Sequence, residues 1–173
     1  MGDTRRGFLR RGLLGGALLA GIGAASALGL SLWPTARRTP RRPLLVLDET
    51  ELSILAAMAE AIAPGADGLE IAHRADAFLV AQGDLPLRDL RRLLRLVESG
   101  AVGAILDGRP RPFTRLDVEG RAAALRAMRD SRLALRRGGY QVLRRLLLSA
   151  RWTDPAAWPA LGYVGPPQLG APT

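Results

Sequence analysis

The chain has no cysteine, no lysine and a single histidine, His73, in 173 residues. Without cysteine there is no disulfide, no thiolate nucleophile and no thiolate metal site, whatever the redox compartment. One histidine leaves zinc only a carboxylate-rich site, a poor donor set for that ion. All 25 basic residues are arginine. With the abundant alanine, glycine and proline, this reads as the codon habit of a GC-rich genome rather than selection for guanidinium chemistry. Dinucleotide-type glycine loops, Walker motifs and serine-nucleophile elbows are also missing. His73 sits in "EIAHRADAF", with Glu70 and Asp76 three residues to either side on one helix face. A general base there would need a nucleophile or a polarised substrate nearby, and the sequence offers none. The reading is a partly buried or surface histidine with a local ion pair. Asp67, Asp84 and Asp107 each adjoin glycine, which is ordinary turn chemistry. The chain by itself reads as non-catalytic, with no catalytic, cofactor-binding or metal-binding residue.

What is present begins at the N-terminus. Thr4-Arg5-Arg6-Gly7-Phe8-Leu9-Arg10 precedes an uncharged stretch from Gly12 to Ala36. A basic head, an apolar middle and small residues toward the end make an export signal. Thr4, Arg5, Arg6, Phe8, Leu9 and Arg10 match the twin-arginine (Tat) pattern, whose cargo crosses the membrane already folded. Ala25-Ser26-Ala27 fits a small-x-small cleavage site. The run from Gly12 to Pro34 is equally long enough to remain as an anchor, which needs ~20 residues, with Trp33 at the interface. Either way, residues 1–36 are signal or anchor, and the destination is the periplasm or the outer face of the cytoplasmic membrane.

The formal net charge of +9 is unevenly spread. Residues 48–108 hold five arginines against eleven acids, and residues 109–154 hold twelve against four. An exported basic half has little access to nucleic acid. Partner proteins and anionic lipid are the candidates, beside the plain reading of solvated helix faces.

About 140 residues after the signal suffice for one domain. Residues 37–47 read as an extended basic linker with two prolines. Asp48 caps a first helix, with Glu51 completing the capping box; Leu52, Leu55, Ala59 and Ile62 recur before Pro64-Gly65 stops it. A second helix spans 70–82, burying Ile71, Ala75, Phe78 and Leu79. Pro86 opens a third, with Leu87, Leu90, Leu94 and Val97 as its apolar stripe. Gly100 and Gly103 weaken the next stretch, and Asp107 to Phe113 reads as turn and extended chain. A fourth helix follows Asp117 with Ala122, Leu125 and Met128. A fifth covers 133–148, with a break at Gly138-Gly139. No stretch alternates with period two, so the fold class is all-α: a small array of about five helices over 48–151. Its expected core is Leu52, Leu55, Phe78, Leu90, Leu94, Leu125, Val142, Leu143 and Leu146.

Residues 152–173 form an irregular tail. Asp154-Pro155 starts a single turn through Trp158, which Pro159 ends. Trp152, Trp158 and Tyr163 then sit in a glycine–proline frame. Such a tail either straps over its own core or docks on another protein through aromatic anchors.

The order "W-x-D-P-x-x-W-P-x-L-G-Y-x-G-P-P" resembles the closing motif of the gluconate 2-dehydrogenase subunit 3 (gamma subunit) family. These are small Tat-signal subunits that accompany flavin-dependent dehydrogenases. The motif is also similar to a segment of long-chain alcohol oxidases of the glucose–methanol–choline (GMC) type. The resemblance covers the signal, the "LDETELSILAAMAEAIAPG" opening and the tail. It implies an accessory subunit that supplies the Tat signal, and is recognised by the Tat translocase, for a large partner holding FAD. The partner oxidises an alcohol or sugar, and a cytochrome c subunit takes the electrons. On that resemblance Trp152, Asp154, Pro155, Trp158, Gly162, Tyr163, Gly165 and Pro166 are the partner-docking residues. The tail here is shorter than the family's Tyr-Gly-Gly-Asn-containing form, so gluconate does not carry over as substrate. The competing expectation is a signal-anchored envelope protein that binds anionic lipid or another envelope protein.

Overall fold

Asp48 accepts the amide of Glu51 at 2.8 Å, and Glu51 accepts the amide of Asp48 at 3.0 Å. This reciprocal pair satisfies orphan donors at the start of helix α1, Glu49–Ile62. The computed structural model of the chain describes residues 33–82 and 84–165. The signal motif from Thr4 to Arg10, the small-residue cleavage pattern and Pro166 lie outside the described residues.

Five more helices follow: α2 Gly68–Leu79, α3 Asp84–Glu98, α4 Gly100–Asp107, α5 Val118–Arg129 and α6 Ala134–Trp152. Short 3-10 segments cover Val80–Gln82, Phe113–Arg115 and Pro155–Leu161. The described residues contain no strand, so their fold is all-α. α1 is the axis of the array and packs against α2, α3, α5, α6 and the Phe113–Arg115 turn. Every residue from Glu51 to Ala59 is buried. A helix enclosed on all sides needs apolar or small residues all round, which Leu52, Ile54, Leu55, Ala56, Ala57, Met58 and Ala59 supply. Gly68 lets α2 come close, because a Cβ there would sit 2.4 Å from the carbonyl oxygen of Ala56.

Leu52, Leu55, Leu90, Leu94, Leu125, Leu143 and Leu146 are in the core as expected. Phe78 and Val142 are not; they are 46% and 57% exposed. Both sit on faces turned away from the core, to which α2 gives Ala75 and Leu79 and α6 gives Leu143, Leu146 and Leu147. Phe113 is a core residue that the reading as extended chain left out; it is fully buried beneath α1.

Three boundaries also differ. α2 starts at Gly68 because Asp67, not a later residue, accepts the amides of Leu69 and Glu70, both at 3.1 Å. Residues 100–107 form a helix despite their glycines, making six helices among the described residues where about five were expected over 48–151. Ser99 caps it, and a side chain at Gly100 or Gly103 would strike the carbonyl oxygen of Pro110 or Arg109. The glycines thus serve the return of the chain. α6 runs unbroken through Gly138-Gly139. A Cβ at Gly139 would meet Leu93 of α3 at 2.6 Å, so that glycine admits a close neighbour rather than a kink.

The 37–47 segment is extended, as read, but it is fastened to the domain. Arg38 donates its amide to Ser53 Oγ at 2.8 Å. Arg41 donates its amide to His73 Nε2 at 3.1 Å. The Asp76 carboxylate accepts the amides of Leu45, Val46 and Leu47 at 2.7, 3.0 and 2.9 Å. Three of its four arginines are neutralised by carboxylates of α1, α2 and the α2 cap. Arg38 pairs with Glu60, Arg41 with Asp67 and Arg42 with Glu70. No helix among the described residues is long and apolar enough to cross a membrane.

Candidate docking surface

The tail begins where α6 ends at Trp152. Asp154 accepts the amide of Ala156 at 3.0 Å, and Pro155 occupies the first position of the following segment. The cap formed as the sequence indicated, but the segment is longer. It is a 3-10 helix through Leu161, with Pro159 inside it. Pro159 has no N–H to give to the Ala156 carbonyl, so one bond of the segment is lost there, while its own carbonyl accepts the Gly162 amide at 3.0 Å. Gly162 ends the segment in the left-handed region at φ 67°, where glycine is unstrained.

The aromatic residues lock this frame from within. The Trp158 indole N–H donates to the carbonyl oxygen of Trp152 at 2.9 Å. Tyr163 meets Trp158 edge-on, with ring centroids 5.3 Å apart and planes at 66°. Its amide also donates to Trp158 O at 3.2 Å. Arg151 lies over the Trp152 ring at 5.0 Å. A Cβ at Gly165 would come within 3.3 Å of the Trp158 ring, so glycine lets the chain cross that ring.

An ion pair ties the frame to the bundle: Arg74 Nη1 of α2 lies 2.8 Å from Asp154 Oδ2. The Asp154 carboxyl is held below its usual range, first by the Ala156 amide and then by Arg74. Arg74 also bonds Glu70 one turn earlier, at 3.1 Å. Neither Arg74 nor Arg151 stood out in the sequence, where nothing tells which arginine a distant aspartate will meet. Between α2 and the tail lies an open groove of about 210 Å³, lined among others by Asp67, Glu70, Arg74, Arg151 and Asp154. Ligand sites usually offer 300–1,000 Å³ and mostly apolar walls, so this cleft suits a side chain rather than a dinucleotide.

Of the sequence-marked docking residues, Trp152, Asp154, Pro155, Trp158, Gly162, Tyr163 and Gly165 are brought together here. None of the three aromatic residues enters the core cluster. Trp152 and Trp158 are half-buried against the frame, while Leu161, Tyr163 and Val164 are exposed, Val164 fully.

His73 lies elsewhere. It is buried in α2, and Nε2 accepts the Arg41 amide, so its role is to hold the 37–47 segment, a strap across the domain. The local ion pair expected of it does not form; Glu70 pairs with Arg42 and Arg74 instead. Burial, and then the nearby Arg42 charge, push its imidazole below the usual histidine range. No group of three or more His, Cys, Asp or Glu among the described residues is placed to hold a metal ion.

No family model, no curated protein and no solved structure matches this chain.

Proposed function

We propose that this chain is a non-catalytic escort subunit. It supplies the Tat signal for a large FAD-dependent oxidoreductase of the GMC type and holds that partner through its C-terminal tail. The observation that carries the reading is the tail itself. A rigid frame, fixed by Trp158, Asp154 and Gly162, presents Leu161, Tyr163 and Val164 to solvent instead of burying them. Interfaces concentrate their energy in such pre-organised aromatic and apolar anchors. α6, which delivers the tail, carries five arginines and no acid, so an acidic patch on the partner would speed association. The flavin, the oxidation of an alcohol or sugar, and any cytochrome c belong to the partner side of the complex. The assembled pair would reside in the periplasm or on the outer face of the cytoplasmic membrane.

The test is co-expression with a GMC-type flavoprotein encoded beside this chain. The wild-type chain is expected to co-purify with the flavoprotein and carry it across the membrane. Replacing Arg5 and Arg6 by lysine should strand both proteins in the cytoplasm. Tyr163→Ala with Val164→Ala should leave the chain folded and exported but alone. If that variant still carries the flavoprotein, the docking role of the tail is wrong; if the wild-type chain never binds one, the escort reading falls.

A further inference from the structure

Trp33 follows the uncharged run Gly12 to Leu32 in sequence and is held against one edge of the domain. The Arg111 guanidinium lies 5.9 Å from the Trp33 ring. Arg115 Nε donates to the carbonyl oxygen of Pro34 at 2.8 Å. The Ala36 amide donates to Thr114 Oγ1 at 3.0 Å, and Thr114 is itself buried on Glu98.

The charges at this edge differ from those of the neighbouring strap. Arg38, Arg41 and Arg42 each have a carboxylate partner. Arg37, Arg111 and Arg115 are exposed, and none pairs with a carboxylate among the described residues. The acids nearest in sequence are Asp107, Asp117 and Glu119. Asp107 pairs with Arg136, Asp117 caps α5 through Gly120, and none of the three pairs with these arginines. Trp33 is half-exposed among them. An interfacial tryptophan beside guanidinium groups that lack carboxylate partners, one residue from an uncharged run of bilayer length, matches a headgroup layer in both polarity and charge.

We propose that Trp33, Arg37, Arg111 and Arg115 form a docking surface for an anionic phospholipid leaflet. The domain then rests against the membrane in one orientation rather than swinging on a tether. This surface is separate from the tail and does not depend on the flavoprotein reading; its test contains no flavoprotein, so the two can fail separately.

The experiment reconstitutes the full chain in phosphatidylcholine vesicles with or without phosphatidylglycerol and follows amide exchange over residues 109–116. Exchange is expected to be slower on the anionic vesicles, and the difference should vanish at high salt. Arg37→Gln with Arg111→Gln should lower the docked-to-free ratio by about thirtyfold, given the usual contribution of each arginine at an anionic surface. Arg115→Lys, which keeps the charge, should retain the protection. Flotation with the vesicles and helical circular dichroism should be unchanged throughout. Equal exchange on both lipids overturns the proposal, as does recovery of the chain in the supernatant with its signal removed.

Discussion

Arg74 and Asp154 lie far apart in sequence and meet at 2.8 Å, an ion pair that joins α2 to the C-terminal frame. Both residues also act locally, since Arg74 bonds Glu70 and Asp154 caps the 3-10 helix. Global stability therefore owes little to their contact, while the position of the tail owes much.

Arg74→Ala is expected to leave the thermal midpoint nearly unchanged, as half-exposed ion pairs usually do. Amide exchange over residues 154–163 should accelerate, because the frame keeps its internal bonds but loses its tie to the bundle. An unaltered exchange pattern would show that the tail is positioned by something other than this pair.

The core prediction contrasts residues on the same helices. Leu94 and Leu143 have no exposed surface, so Leu→Ala at either should cost ~2–5 kcal/mol by urea unfolding. Val142→Ala, one residue away from Leu143 but 57% exposed, should stay within about 0.5 kcal/mol. Comparable losses at 142 and 143 would contradict the packing of α6.

Much of this fold was readable from local chemistry. Asp48 with Glu51, Asp117 before α5 and Asp154-Pro155 are caps whose partners lie within three residues, so sequence contains both halves of each bond. The apolar stripes of α3 and α6 were likewise visible, apart from Val142. Errors arose where a distant neighbour decides. Gly139 looks like a breaker until Leu93 is placed against it, and Gly100 and Gly103 look disruptive until the 109–111 chain packs on them. Phe113 sits in a turn that only α1 and Glu98 make into core. Phe78 has the right period and the wrong side of the helix. At the tail, the Asp154-Pro155 start was legible, but the mutual geometry of Trp152, Trp158 and Tyr163 needed the Trp158–Trp152 bond and the far-off Arg74.

The strap offers a third prediction. Asp76 accepts three consecutive backbone amides, those of Leu45, Val46 and Leu47. An asparagine has one acceptor oxygen and no charge, so at least one of these donors would be left unpaired. Hydrogen bonds to a charged acceptor contribute about 1.5–3 kcal/mol, and Asp76→Asn should cost at least that range by urea unfolding. Exchange of the 45–47 amides should rise with it. Retained protection in the variant would mean that the strap is held by its arginine pairs alone.

The last prediction concerns pH and rests on His73. In the fold its Nε2 accepts the Arg41 amide, which requires the neutral ring. Burial disfavours the charged form, and Arg42 and Arg41 on the strap oppose it further; Glu70 and Asp76 of α2 act the other way and do not prevail. The folded imidazole therefore titrates below the ordinary value of 6.5. For a depressed histidine the stabilising contribution is complete above the unfolded value and is lost as pH falls from there through the folded value. The strap carboxylates Glu60, Asp67 and Glu70 are also depressed, chiefly by bonds from Arg38, Arg41 and Arg42. Their losses begin lower, below ordinary values of 4.5, 3.8 and 4.5, so the two windows separate. Urea midpoints measured between pH 7 and pH 5 should decline for the wild-type chain. His73→Gln, whose side-chain oxygen can still accept the Arg41 amide but cannot take up a proton, should be flat over that interval and then fall with the carboxylates. Parallel curves for the two proteins above pH 5 would show that His73 does not couple the strap to acidity.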